Sequence, residues 1–301
     1  MKNIIEWNIG LDGYRKCTLD LGYPTNKFTT EILDIPFEPG RSITEIFNDH
    51  LANRQTKYVE VLYSGGLDSE LVLVSCLKNN IPVIAITLII KIDGMIINTH
   101  DLYYAEKFCR EHSITHKLLE IDANKFFENG LYYDYLKPYN ISEPHVATHL
   151  WLIEQCSYFP IIGGDWPWVH AHKENKVISP TRLEFSSYER FMQDKGIHGI
   201  GNMISHSLES TYKILQIHLD NYIEDESSVS SFKSRMYQTM YPNLETRLKS
   251  HGWENHNTKT FKLAKYKLHL VNTLRPTLSL IKWNDTIKTL LNTELNENKL
   301  F

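Results

Sequence analysis

Residues 81–90, Ile-Pro-Val-Ile-Ala-Ile-Thr-Leu-Ile-Ile, are the longest apolar run in the chain and constrain its fold more than any other stretch. The run is half as long as a membrane-spanning helix requires. Its β-branched content at strand length suits a strand buried on both faces. Such a strand needs helices above and below it, and the flanking sequence offers them. Before it, residues 58–63 (Tyr-Val-Glu-Val-Leu-Tyr) favour a strand that stops at Ser64-Gly65-Gly66. From there Leu67, Leu71, Val74 and Leu77 recur at near-helical spacing until Asn79-Asn80. After it, a helix over 101–112 carries Leu102, Ala105 and Cys109 on one side. A third strand follows over 116–121 and a short helix over 123–129. Ser142 is positioned to cap a helix with Pro144 in its first turn, running to Cys156. A fourth strand, 158–162, ends at Gly163-Gly164-Asp165.

Strands alternating with helices at this spacing predict an α/β fold, a parallel sheet with helices on both faces. At about 150 residues per domain, a chain of 301 residues suggests two domains. Past residue 180 the pattern turns helical, over 185–195, 203–219 and 230–240 and near Thr260 and Thr286. The expected organisation is a lead-in segment (1–41), irregular or β-containing, an α/β domain (42–180) and a helical region (181–301).

With 42% hydrophobic and 23% charged residues, disordered, collagenous and low-complexity classes drop out. The first dozen residues carry one Lys, then Glu6 and Asp12, with no apolar core, so no secretory signal is expected. Cys17, Cys76, Cys109 and Cys156 are widely spaced, which argues against a disulfide scaffold or structural zinc. A reducing cytoplasm is the simple reading, and no membrane partner is expected. The net charge of −4 hides an asymmetry, since residues 231–290 hold eleven Lys and Arg against three Asp and Glu. That basic third has two readings, solvated helix faces or an anionic partner such as nucleic acid.

The chemistry is concentrated in Ser64-Gly65-Gly66-Leu67-Asp68-Ser69, between a strand and a helix. In an open parallel sheet, ligands bind beyond the carboxyl ends of strands. The two glycines allow close backbone approach to an anion, and the following helix N-terminus favours negative charge. Ser64 and Ser69 add hydroxyl donors. Asp68, a carboxylate beside an anion site, makes sense with a divalent cation between the two. The Walker A spacing and its lysine are absent, so the loop suits pyrophosphate with magnesium.

This hexapeptide resembles the signature of the PP-loop, or N-type, ATP pyrophosphatases, which cleave ATP between the α- and β-phosphates and adenylate a substrate. Preceded by Val61-Leu62-Tyr63, it looks most like the synthetase domain of asparagine synthetases and their β-lactam-forming relatives. Thr99-His100-Asp101-Leu102-Tyr103-Tyr104-Ala105 and His116-Lys117-Leu118-Leu119-Glu120 are similar to that branch's helix and next strand. Phe159-Pro160-Ile161-Ile162-Gly163-Gly164-Asp165 resembles its second glycine loop, whose Asp helps hold magnesium and pyrophosphate. The resemblance spans roughly residues 42–180 and implies an adenine nucleotide alpha hydrolase-like sheet. Two departures stand out. The second loop is compressed and lacks the usual Glu after its Asp, leaving a plain turn as the other reading of Asp165. The glutaminase domain is missing, and its nucleophilic Cys after the initiator Met is Lys2 here. Free ammonia, another amine or a separate glutaminase would then supply the nitrogen.

The resemblance thus implies ATP and Mg2+ as ligands, with Ser64, Gly65, Gly66, Leu67, Asp68, Ser69, Gly163 and Gly164 around the nucleotide. Asp68 and Asp165 would hold the metal. In that branch a lysine from the helical region stabilises developing charge, and Lys249 and Lys173 are the candidates. The expected reaction is adenylation of a small-molecule carboxylate followed by amide formation. The rival is an adenylase acting on a nucleotide or tRNA base, thiolation included, though no Cys-x-x-Cys pair is present. A catalytically dead nucleotide-binding module is a third reading, against which the intact loop argues. His145/His149 and His170/His172 have helical or alternating spacing, but a structural role is the simpler reading than a zinc site. Trp166-Pro167-Trp168 would serve equally as a pocket wall or a packed lid.

Overall fold

The computed structural model describes residues 4–9, 15–20, 29–31, 41–52, 54–139, 141–164, 170–171, 176–177, 186–204, 206, 210, 213, 237–238, 241, 253, 258 and 260–274. A three-stranded antiparallel sheet comes first, built from β1 (Ile4–Ile9), β2 (Arg15–Asp20) and β3 (Thr29–Glu31) in the order β2-β1-β3. Helix α1 (Ile43–Ala52) then leads into the central sheet.

That sheet holds β4 (Val59–Leu62), β5 (Val83–Ile92), β6 (Met95–Ile96), β7 (Thr115–Asp122) and β8 (Phe159–Ile162). β4 is parallel to both β5 and β8, β5 is parallel to β7, and only the short β6 runs antiparallel. The order is therefore β7-β5-β4-β8, with β6 folded back on the end of β5. The α/β architecture with a mostly parallel sheet is as the sequence predicts.

Among the described residues, helices with defined bounds are also α2 (Leu67–Lys78), α3 (Thr99–Glu111), α4 (Ala123–Glu128), α5 (Leu131–Leu136), α6 (Val146–Glu154), α7 (Ser186–Asp194) and α8 (Leu263–Leu274). Strand alternation sorts their partners. Val59, Val61, Tyr63, Ala85 and Ile161 join the core formed with α1, α2 and α3. Leu62, Ile86, Leu88, Ile90, Ile92 and Ile121 face the opposite core, with α4 through α8. Residues late in the chain enter both layers, Tyr237 and Tyr241 the first, Phe261 and Leu270 the second. At about 25 cal/mol per Å² of apolar surface, each fully buried Leu or Ile here stabilises by roughly 1.5–3 kcal/mol. Among the described residues, no helix is long and apolar enough to cross a membrane.

Two local expectations are corrected, and one strand is new. The helix near Ser142 starts at Val146 with His145 at its N-cap and no side-chain cap, while Ser142 is buried upstream. The segment at Met203 is not the start of a helix; it extends along β8, with Ile200 N–H donating to Pro160 O (2.9 Å) and Met203 N–H to Ile162 O (2.9 Å). Its apolar spacing fits a helix, but the open edge of β8 needs backbone partners and takes them here. β6 was also unforeseen; Asp93 and Gly94, both at positive φ, form its turn, an Asp-Gly pair suited to a tight hairpin.

Candidate active site

From β4 the chain goes to β5 and β7 on one side and returns to β8 on the other. The β4/β8 boundary is therefore the topological switch point, where open α/β sheets leave a crevice beyond the strand ends. Leu62 and Ile162 are registered neighbours across it, so the Ser64–Ser69 and Gly163–Gly164 loops leave the sheet side by side.

The first loop is held from all sides. Tyr63 N–H donates to Ile86 O at 2.7 Å, and the Thr87 hydroxyl donates to Tyr63 O at 2.7 Å. With its hydrogen so committed, Thr87 Oγ1 accepts from His116 Nε2, 2.8 Å away, which fixes the His116 tautomer. Burial lowers the His116 pKa. Beneath the loop the Tyr63 hydroxyl donates to Glu70 Oε2, joining the residues that flank the hexapeptide; Glu70 is fully buried. Inside it, Ser69 Oγ donates to Gly66 O at 3.1 Å and accepts from Ser64 N–H at 3.4 Å. Gly66 caps α2 without a side chain, and Asp68 lies in the first turn.

Close backbone approaches explain the glycines. Gly65 has φ +70°, and a Cβ there would lie 2.2 Å from Asp101 O in the first turn of α3. A Cβ on Gly163 would meet Ser69 Cα at 3.0 Å, so the second glycine loop lies directly against the start of α2. Gly164 has φ +91°, with the Asn202 side chain where its Cβ would be (Oδ1 at 1.8 Å). Ile204 N–H donates to Gly163 O at 3.0 Å, so the 200–204 segment braces the second loop. α3 is aimed at Gly65 by Asn98, which accepts from Ile90 N–H (3.0 Å) and donates to Leu88 O (2.7 Å).

Of the residues singled out from sequence, Ser64, Gly65, Gly66, Leu67, Asp68, Ser69, Gly163 and Gly164 come together at this crevice. Asp165, Lys173, His172, Trp166, Trp168 and Lys249 lie outside the described residues. His170 lies on β9 (His170–Ala171), which pairs with β10 (Lys176–Val177). His149 Nδ1 is bonded to the buried Tyr188 hydroxyl at 2.7 Å, consistent with a structural role. Among the described residues, no three His, Cys, Asp or Glu converge as metal ligands. Sequence reasoning missed two residues, Asn202 over Gly164 and Tyr237, whose hydroxyl donates to Asp68 Oδ1 at 2.6 Å. Neither belongs to a local motif; only long-range pairing reveals them.

The site offers oxygen donors, Asp68 and two serine hydroxyls, rather than soft ligands. That set fits Mg2+, which is usually bound through one or two carboxylates together with substrate phosphates. Fold and site thus define an α/β protein with paired glycine loops at the switch point of a parallel sheet. No protein-family model and no curated protein matches the chain. Several solved structures align with it at low similarity. A predicted subunit of tRNA methyltransferase from Methanocaldococcus jannaschii is 20% identical over 61% of this chain and 88% of that one, with TM-score 0.32. U34-tRNA thiolase NcsA from Methanococcus maripaludis is 15% identical over 79% and 82%, with TM-score 0.32. NH3-dependent NAD synthetase from Campylobacter jejuni is 16% identical over 69% and 96%, with TM-score 0.29. Similarities this low decide nothing about the chemistry.

Proposed function

We propose that this protein is an adenylating ligase of the PP-loop type, releasing AMP and pyrophosphate and activating a carboxylate for amide (C–N) bond formation. The observation that supports this best is the meeting, at the β4/β8 switch point, of a lysine-free glycine–serine loop, a second glycine pair and a partly exposed carboxylate. A carboxylate oxygen of the substrate attacks the α-phosphorus of ATP, and the α–β bridging P–O bond breaks. Pyrophosphate leaves against the Ser64 hydroxyl and the first backbone N–H groups of α2, with the Ser69 hydroxyl holding the loop in shape through Gly66 O. Ammonia or an amine then attacks the acyl carbon, expelling AMP and losing a proton. Asp68 and Asp165 would hold Mg2+, which would supply charge neutralisation at the leaving group. Lys249 from the later region, or Lys173 near the end of the nucleotide domain, stabilises charge at the α-phosphate. In this reading 42–180 is the nucleotide domain and 181–301 the substrate cap, and an asparagine synthetase-like substrate preference is its finer form.

The tRNA- or base-thiolating alternative needs a reactive thiol. Burial pushes the Cys76, Cys109 and Cys156 thiols up to about 12, which argues against these three carrying a persulfide and leaves Cys17 as the thiol that reading would need. The deciding experiment incubates the protein with ATP, Mg2+, ammonia and a pool of metabolite carboxylates and follows AMP and pyrophosphate. AMP and pyrophosphate in equal amounts are expected; stoichiometric ADP would refute the proposal.

A further inference from the structure

Two tyrosine–carboxylate pairs flank the loop, and they differ in kind. Tyr63–Glu70 is buried on both sides and closes the loop from beneath. In the other pair the tyrosine is buried but the carboxylate, Asp68, is partly exposed and stands in the first turn of α2. Tyr237 is 0% exposed and reaches Asp68 from a part of the chain 169 positions away. It does so on a short anchored turn. Tyr241 N–H donates to Tyr237 O at 2.7 Å. The Tyr241 hydroxyl lies 3.3 Å from Ser75 Oγ, whose own hydrogen goes to Leu71 O, so Tyr241 is the donor. The Lys78 ammonium sits 4.2 Å from the Tyr241 ring centroid. The turn is thereby fixed along α2, with Tyr237 at the helix start and Tyr241 two turns further on.

A buried tyrosine normally needs a partner for its hydroxyl. Here the partner is the carboxylate of the proposed cation site. An ionised carboxylate offers about four lone-pair positions, and the Tyr237 hydroxyl takes one of them while restricting rotation of the group. We infer that Tyr237 is a positioning residue for Asp68: its hydroxyl sets the carboxylate in the orientation that receives the divalent cation, coupling the later part of the chain to the metal step. This rests on the reading of Asp68 as a cation ligand. Outer partners of metal ligands typically contribute about 10–100-fold in metal affinity or activity.

The test measures Mn2+ binding by electron paramagnetic resonance in the presence of α,β-methylene-ATP, for wild type, Tyr237→Phe, Tyr241→Phe and Asp68→Ala. Tyr237→Phe should weaken Mn2+ binding by about 10–100-fold while metal-free binding of the analogue stays unchanged. The Mg2+ needed for half-maximal pyrophosphate release should rise in step, with kcat recovered at saturating Mg2+. Tyr241→Phe, which removes the anchor on Ser75 but keeps the Tyr237 hydroxyl on Asp68, should weaken binding clearly less than Tyr237→Phe. If Asp68→Ala binds Mn2+ normally, the cation-site reading fails and takes this inference with it. If Asp68→Ala loses binding but Tyr237→Phe does not, or if Tyr241→Phe weakens it equally, the site reading stands and the positioning role is refuted. Should Tyr237→Phe not fold, 3,5-difluorotyrosine at 237 keeps the shape and changes the hydroxyl's donor strength. A shifted Mn2+ affinity is then expected, and an unchanged one refutes the role.

Discussion

Adding one methyl group at Gly65 tests whether the meeting of loop and helix is as tight as described. Gly65→Ala has two separable costs. The backbone at φ +70° is left-handed, which costs an L-residue roughly 1–2 kcal/mol. The new Cβ would also lie 2.2 Å from Asp101 O, well inside contact distance. The obstacle is backbone in the first turn of α3, held by the Asn98 bonds to β5, so it cannot swing aside as a side chain would. Overpacking of this kind costs about 1–3 kcal/mol more. Gly130→Ala is the matched control, because φ is +78° there and nothing lies within 4 Å of the added Cβ. Urea unfolding should show Gly130→Ala destabilised by roughly 1–2 kcal/mol and Gly65→Ala by about 2–5 kcal/mol. Pyrophosphate release should be lost only in Gly65→Ala. Equal destabilisation of the two variants with equal turnover would refute the tight approach of α3 to the loop.

Three further outcomes are expected. The His50 pKa is lowered to about 4 by burial and by the nearby His206, so between the unfolded value near 6.5 and 4 the unfolded chain binds a proton that the folded one does not. Stability should therefore be full above pH 6.5 and fall as pH drops through that window, and His50→Phe should flatten this slope in urea titrations at pH 7.5 and 5. Glu60 is 1% exposed and accepts the Ser157 and Tyr158 N–H groups at 2.6 Å each; Glu60→Ala should cost about 2–4 kcal/mol through those two unanswered donors, read as a lower urea midpoint. With their thiols near 12, Cys76, Cys109 and Cys156 should stay unmodified by iodoacetamide at pH 7.5 until the protein is unfolded, as mass spectrometry would show.

What the sequence made legible follows the range of the forces involved. The Ser64–Ser69 loop, its strand and its helix are one contiguous stretch, and the apolar run at 81–90 announces a doubly covered strand. Features joined only by tertiary contact were hidden. Glu60 reads as the polar member of an alternating strand, yet it is buried, with two backbone donors supplied by Ser157 and Tyr158 just ahead of β8. Ser142 has the chemistry of a helix cap, but the helix begins further on, at Val146. Met203 and Ile204 look helical by spacing, yet their N–H groups go to Ile162 O at the open edge of β8 and to Gly163 O just beyond it. Asn202 and Tyr237 carry no motif at all, and only their distances to Gly164 and Asp68 mark them.

The side chain of Asn98 also bears on how this protein avoids self-association. Beyond Ile86, β5 extends past the end of β4, and its edge on that side would present open backbone groups. Bare edges of this sort template pairing with other chains. Here the chain doubles back. β6 pairs with Lys91 and Ile92, Ile97 N–H donates to Ile90 O, and the Asn98 amide takes up Ile90 N–H and Leu88 O as another strand's peptide group would. One amide side chain thus stands in for a missing strand. A change such as Asn98→Ala would reopen a segment of Leu and Ile, and its expected consequence is colloidal: faster aggregation at high protein concentration, seen by light scattering.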